Sequence, residues 1–249
     1  MSFKLQLFTL WFSLSVFAGV VTRPLLPNQW QGGSHETQEL ASIESGLGGG
    51  VTLAALGGYR SIAANFVWLK MYDDWRFRRE SDVLEKMELA VSLNPSVVYF
   101  WLDGARIIAN DMPVWVVGDE EMDSLFDDSS EEGRSVRVEY AKQAIAFLDR
   151  APESISSDYR IPLEKGIVYW KRLQDLDNAI VCFKEAADVE GSPYFVARVC
   201  AELLYRNDQK EDAYEYLSEE YEKLPDGDER AMKPIIAKKL EELKKELGR

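Results

Sequence analysis

Downstream of Val83, apolar and small residues return every three or four positions, the spacing of helices that bury one face. The helical phrases also return. Ala144, Ala179 and Ala213 each open one, 34 or 35 residues apart, and Leu148, Phe183 and Leu217 follow four positions later. Further upstream, in "DVLEKMELAVSLNP", Val83, Met87 and Ala90 take the places of Ala179, Phe183 and Ala186. Asn94-Pro95 ends that phrase, because proline stops one helix and begins the next. In "SVVYFWLDGARIIAN", Trp101, Gly104 and Ala105 would let a neighbouring helix approach closely. Paired helices at this period cannot bury their apolar faces alone, so the pattern predicts an all-α helix-pair solenoid.

Two stretches depart from the repeat. Lys4 precedes an apolar run from Leu5 to Val21, about the shortest that spans a bilayer. It reads as an uncleaved anchor, with Arg23, Pro24 and Trp30 at the far interface, as a signal peptide cut after Ala18, or as a buried helix. Residues 24–46 carry no apolar period and read as a tether holding the only histidine, His35. From Leu47 the chain turns apolar and glycine-rich. Gly46, Gly50 and Ala54 resemble the small-residue spacing of packed membrane helices, but Arg60 interrupts the run too early for a span. The stretch therefore predicts an amphipathic helix on the first repeat, with Ile62, Phe66, Trp68 and Leu69 as its buried stripe. A second departure, an acidic insertion at 111–133, reads as a solvated loop. Met122, Leu125 and Phe126 within it could fold onto a partner or lie across the binding groove.

The segments Ile161 to Gly191 and Pro193 to Pro225 resemble tetratricopeptide repeats. Leu163, Gly166 and Tyr169, then Ala179, Phe183 and Ala186, match the two helices of one unit. Ala201 and Tyr205, then Ala213, Leu217 and Pro225, match the next. Trp101 and Ala105 fit the pattern upstream, as do Ala144, Leu148 and Ala151, and one extra residue near Arg172 lengthens a turn. A weaker likeness, through "LGGYRSIAANFVWLK", is to uncharacterised membrane-anchored bacterial repeat proteins. Together with the apolar N-terminal run and the unpatterned tether, the resemblance implies an organisation of 1–23 as anchor or signal, 24–46 as linker, 47–227 as solenoid with the acidic insertion at 111–133, and 228–249 as a C-terminal capping helix. It also implies that the first helix of each pair lines a concave inner surface. That surface would carry Tyr99, Arg106 and Asn110, then Arg160, Trp170 and Lys171, then Arg198, Glu202, Tyr205 and Arg206.

Charge sharpens this picture. The chain carries a formal net charge of -14, which disfavours nucleic acid, yet the expected inner surface is basic and aromatic. Such a lining suits carboxylates, so the expected partner is a protein or an acidic or C-terminal peptide. The competing reading is that these cations only balance the chain's own acids, with Trp170 and Tyr205 in the core. Two cysteines and one histidine give little material for a metal or iron-sulfur site, and the acids of the insertion lack calcium-loop spacing. No metal or other cofactor is expected. Cys182 and Cys200 fall on adjacent helices, either bonded or as small buried side chains. The chain carries no phosphate loop, nucleophile elbow or metal-ligand helix, and Asp73 and Asp74 are expected to be solvated, so it reads as a non-enzyme.

The function expected is a membrane-tethered scaffold or adaptor, its body outside the cytoplasm on the bacterial periplasmic side, collecting partners on the concave face. The alternative is a secreted or periplasmic binding protein for an anionic small molecule or glycan.

Overall fold

The computed structural model describes residues 58–118, 122–125 and 130–248. The expected anchor or signal segment, the tether and the glycine-rich stretch through residue 57 lie outside the described residues. The regular structure of the described residues is helical, with no strand among them, so the fold is all-α. No described helix is long and apolar enough to cross a membrane. The chain divides into two compact units, with the boundary between Pro95 and Ser96.

In the first unit, α1 (Arg60–Arg76) and α2 (Glu80–Leu93) form an antiparallel hairpin. The buried face of α1 differs from the expected stripe. Ile62 and Leu69 are 63% and 67% exposed and Phe66 is also exposed; of the four only Trp68 is buried. Ala63, Ala64, Val67 and Met71 fill the contact face with Trp68 instead. Helix α1 is apolar on two sides, and its side with two alanines permits the close approach of α2. Asp74 is likewise buried, not solvated. It turns inward because Arg79 and Lys86 hold its two carboxylate oxygens at 3.0 and 2.8 Å. Asp73 remains exposed and pairs with Lys70 at 3.3 Å.

The second unit begins with α3 (Val98–Arg106), which runs through a π-helical turn at Ile107–Asp111 into α4 (Met112–Val117). A 3-10 turn at Met122–Leu125 leads to α5 (Glu131–Asp149). Then come α6 (Arg160–Val168), which ends in a second π-helical turn at Tyr169–Leu173, α7 (Leu176–Asp188), α8 (Phe195–Arg206), α9 (Lys210–Lys223) and α10 (Lys233–Glu246). Helices α6 to α10 pack each against the next in chain order, while α5 packs against both α3 and α6.

Local chemistry sets the helix starts. Ser130 accepts from the Gly133 amide at 3.1 Å, and Glu131 and Glu132 in the first turn favour the positive end of the α5 dipole. Asp175 caps α7 through the Asn178 amide at 3.0 Å. The small residues of the repeat phrases lie where helices cross: Ala144, Ala179, Ala186 and Ala213 are fully buried. Trp101, Gly104 and Ala105 are buried too, and the Trp101 ring lies 5.0 Å from that of Phe147 on α5. Phe183 closes against Gly166, where a methyl group would meet its ring carbons at 2.7 and 2.9 Å. Near Arg172, where a lengthened turn was expected, the chain forms the second π turn, whose Tyr169 carbonyl accepts from the Gln174 amide. Gln174 itself takes a left-handed conformation at φ 54.

The described part of the insertion is helical where a solvated loop was expected. Its first part is α4, which starts with Pro113 in the first turn and buries Met112 and Pro113. Leu125 is buried near α4 and α5, and its carbonyl accepts from the Arg137 guanidinium. In the described part of the insertion, therefore, Leu125 faces its own neighbouring helices and does not lie across a groove. Phe126 falls outside the described residues.

Candidate partner-binding face

The ten residues expected on one inner surface divide into three groups. On α3 the Tyr99 hydroxyl donates to Asp103 at 3.2 Å. Arg106 reaches across to α6, where Nε lies 2.9 Å from a Glu164 carboxylate oxygen. Glu164 is buried, and its hydrogen bond holds the Arg106 guanidinium pKa above its usual range. Asn110, in the first π turn, accepts from Arg172 Nε of the second π turn at 3.0 Å. Burial, followed by the charge of Arg137, lowers the Arg172 pKa. These residues form a polar bridge between α3 and α6.

Arg160 stands by itself. It pairs with Asp158 two positions back, at 2.8 and 2.6 Å, and the same bonds depress the Asp158 carboxyl pKa.

The remaining six residues form a connected cluster. Trp170 packs partly on the core beside Phe183, ring centroids 6.3 Å apart. The Lys171 ammonium lies 3.4 Å from the Trp170 ring centroid and the Arg206 guanidinium 5.9 Å from it. Arg206 pairs with Glu202 one turn back at 2.9 Å. Glu202 also faces Lys239 of α10 at 3.8 Å. Lys239 in turn lies 4.6 Å from the Tyr205 ring, and the Tyr205 hydroxyl donates to Glu246 at 3.2 Å. Arg198, one turn before Glu202, donates to the Met232 sulfur at the start of α10.

The reading that these cations balance internal acids therefore holds for Arg106, Arg160 and Arg206. It does not hold for Lys171 and Arg198, neither of which pairs with a carboxylate among the described residues. The Arg198 Nε is buried without a hydrogen-bond partner. Beside Arg198 lies a pocket of about 220 Å³. Its lining is mostly apolar, with Ala201, Leu217, Ile235, Ile236 and Leu243, completed by Arg198, Glu202 and Lys239. Among the described residues this leaves two cations without a carboxylate partner, Arg198 of them beside the apolar recess, an arrangement that suits a carboxylate attached to an apolar group.

The contributions of Lys239, Glu246 and Met232 were not foreseen, because α10 reads in sequence as a polar cap. One half of that reading is present: Ile236 and Leu243 bury against Ala201 and Leu217. The signal that could have found the other half is the lysine at 239 on the same side as Leu243 and Ile236, four and three positions away.

Cys182 and Cys200 are free and buried. Burial raises each thiol to about 11. No family model matches this chain, and neither a curated protein nor a solved structure does.

Proposed function

We propose that this chain is a membrane-tethered scaffold, a tetratricopeptide-like solenoid that receives an acidic or C-terminal segment of a partner protein along α6, α8 and α10. The stacking of α6 to α10 in chain order, with the repeated alanines fully buried at their crossings, supports the solenoid. The observation that carries the binding reading is that, among the described residues, Lys171 beside the half-buried Trp170 and Arg198 beside an apolar pocket pair with no carboxylate, in a protein of net charge -14. Cations left unneutralised in so acidic a chain attract carboxylates from outside it. The apolar run from Leu5 to Val21 would fix the body at a membrane, on its periplasmic side, and the function needs no catalytic step.

The test is recovery of partners from native membranes by the full chain and by a Lys171→Glu, Arg198→Glu variant, with Arg160→Glu as the control. Loss of partners in the double variant and retention in the control is expected. Unchanged recovery in the double variant overturns the site.

The pocket favours a second reading, a binding protein for a small anionic ligand. In that case Arg198→Glu abolishes ligand binding and Lys171→Glu, outside the pocket, leaves it intact.

A further inference from the structure

Half of the large apolar side chains that stand exposed among the described residues fall between positions 59 and 77. Tyr59, Ile62, Phe66 and Leu69 repeat at three and four residues, so they form one stripe along α1 on the side turned away from Ala63, Ala64, Val67 and Met71. Phe77 extends the apolar surface at the end of the helix. Monomeric proteins rarely leave such a continuous stripe in water without a use for it.

Charge identifies the occupant. Residues 58–79 hold five cations, Arg60, Lys70, Arg76, Arg78 and Arg79, against Asp73 and Asp74, while the chain as a whole is strongly acidic. Both acids are already engaged, Asp73 by Lys70 and Asp74 by Arg79 and Lys86. The Lys70 ammonium sits 5.9 Å from the Phe66 ring, and Arg76 and Arg79 lie 5.0 and 5.1 Å from that of Phe77. Cations therefore flank the apolar stripe. Five cations less two acids leave residues 58–79 three positive units, so a second copy brought onto this stripe would set like net charge against like, which opposes that pairing. An apolar and aromatic face rimmed by lysine and arginine is instead the chemistry of a helix lying in an anionic lipid interface. The placement agrees: the apolar run ends at Val21, so at most 37 residues separate it from Tyr59.

We propose that the Tyr59, Ile62, Phe66 and Leu69 face of α1 rests on an anionic lipid surface, a second membrane contact beyond the apolar N-terminal run. The contact would hold the first unit at the bilayer. Its strength depends on the Arg76 and Arg78 charges and is screened by salt.

The test uses the full chain with single cysteines at Ile62, Leu69 and, as a water-facing control, Glu85 on α2. The native thiols are buried and raised to about 11, so the introduced ones react first with a water-soluble maleimide. On phosphatidylcholine vesicles containing about one third phosphatidylglycerol, positions 62 and 69 should react about tenfold more slowly than free in buffer, with 85 unchanged. Arg76→Glu, or neutral vesicles, should restore most of that reactivity. Equal reactivity with and without anionic vesicles overturns the proposal. So does protection in buffer alone, whether independent of concentration, which indicates the chain's own N-terminal residues, or rising with it, which indicates a second copy. Flotation of the chain with vesicles in high salt reports separately on the N-terminal tether, so the two membrane contacts can fail independently.

Discussion

Gly166→Ala tests whether α6 and α7 cross as closely as the repeat requires. On helix propensity alone the change stabilises by about 1 kcal/mol, since alanine loses less backbone entropy. The structure opposes that gain. The new methyl would lie 2.7 Å from Phe183 Cδ2, 2.9 Å from Cε2 and 3.2 Å from Cys182 Cβ. Carbon atoms pack at about 3.5–4.0 Å, so the ring or the helix must move by about 1 Å. Phe183 is only 2% exposed and has the Trp170 ring beside it, so its ring can shift only against packed neighbours. Overpacking of this kind costs about 1–3 kcal/mol, so after the propensity term of about 1 kcal/mol the net loss is up to about 2 kcal/mol. Urea unfolding of the full chain, followed by far-ultraviolet circular dichroism, should show a lower midpoint at an unchanged slope. Phe183→Leu should cost less in the Gly166→Ala background than alone, because a smaller side chain admits the methyl group. A Gly166→Ala variant more stable than the parent would refute the close crossing, and with it the argument that small residues at this period mark helix contacts.

Two further outcomes follow from the same physical reasoning. Arg106→Met leaves the buried Glu164 carboxylate without its partner; because the guanidinium side chain is 55% exposed, the cost should fall at about 1–3 kcal/mol, below that of a fully buried pair. Adding Glu164→Leu should return most of it, and chemical denaturation of the two variants reads both steps. For the thiols, the folded chain keeps Cys182 and Cys200 protonated to about 11 against an ordinary 9.0, so the stabilisation is complete below pH 9 and declines as pH rises toward 11. A Cys182→Ala, Cys200→Ala variant should lose that part of the alkaline decline, and at pH 8 both native thiols should react with a disulfide reagent only after denaturant is added.

What could be read from the sequence depended on the range of the interaction that decides each feature. The alanines at 144, 179 and 213 were legible because a helix crossing demands a small side chain wherever its partner comes from. Near Arg172 a longer turn was expected, and the chain widens one helical turn there into a π turn, a form that spacing alone does not specify. The buried side of α1 was not legible, because both of its faces are apolar. Only the approach of α2 selects Ala63, Ala64 and Val67 over Ile62, Phe66 and Leu69. Charge pairing was least legible of all. Arg106 meets an acid 58 positions away, and Arg172 an amide 62 positions away. A list of basic residues on a presumed inner face therefore mixes cations already neutralised with cations still available, and sequence spacing cannot separate them. That separation matters for function, since an arginine bound to its own protein's carboxylate must first give up that bond to hold another's. Partner selection should accordingly be most sensitive at Lys171 and Arg198 and weaker at Arg106, where substitution acts chiefly on stability.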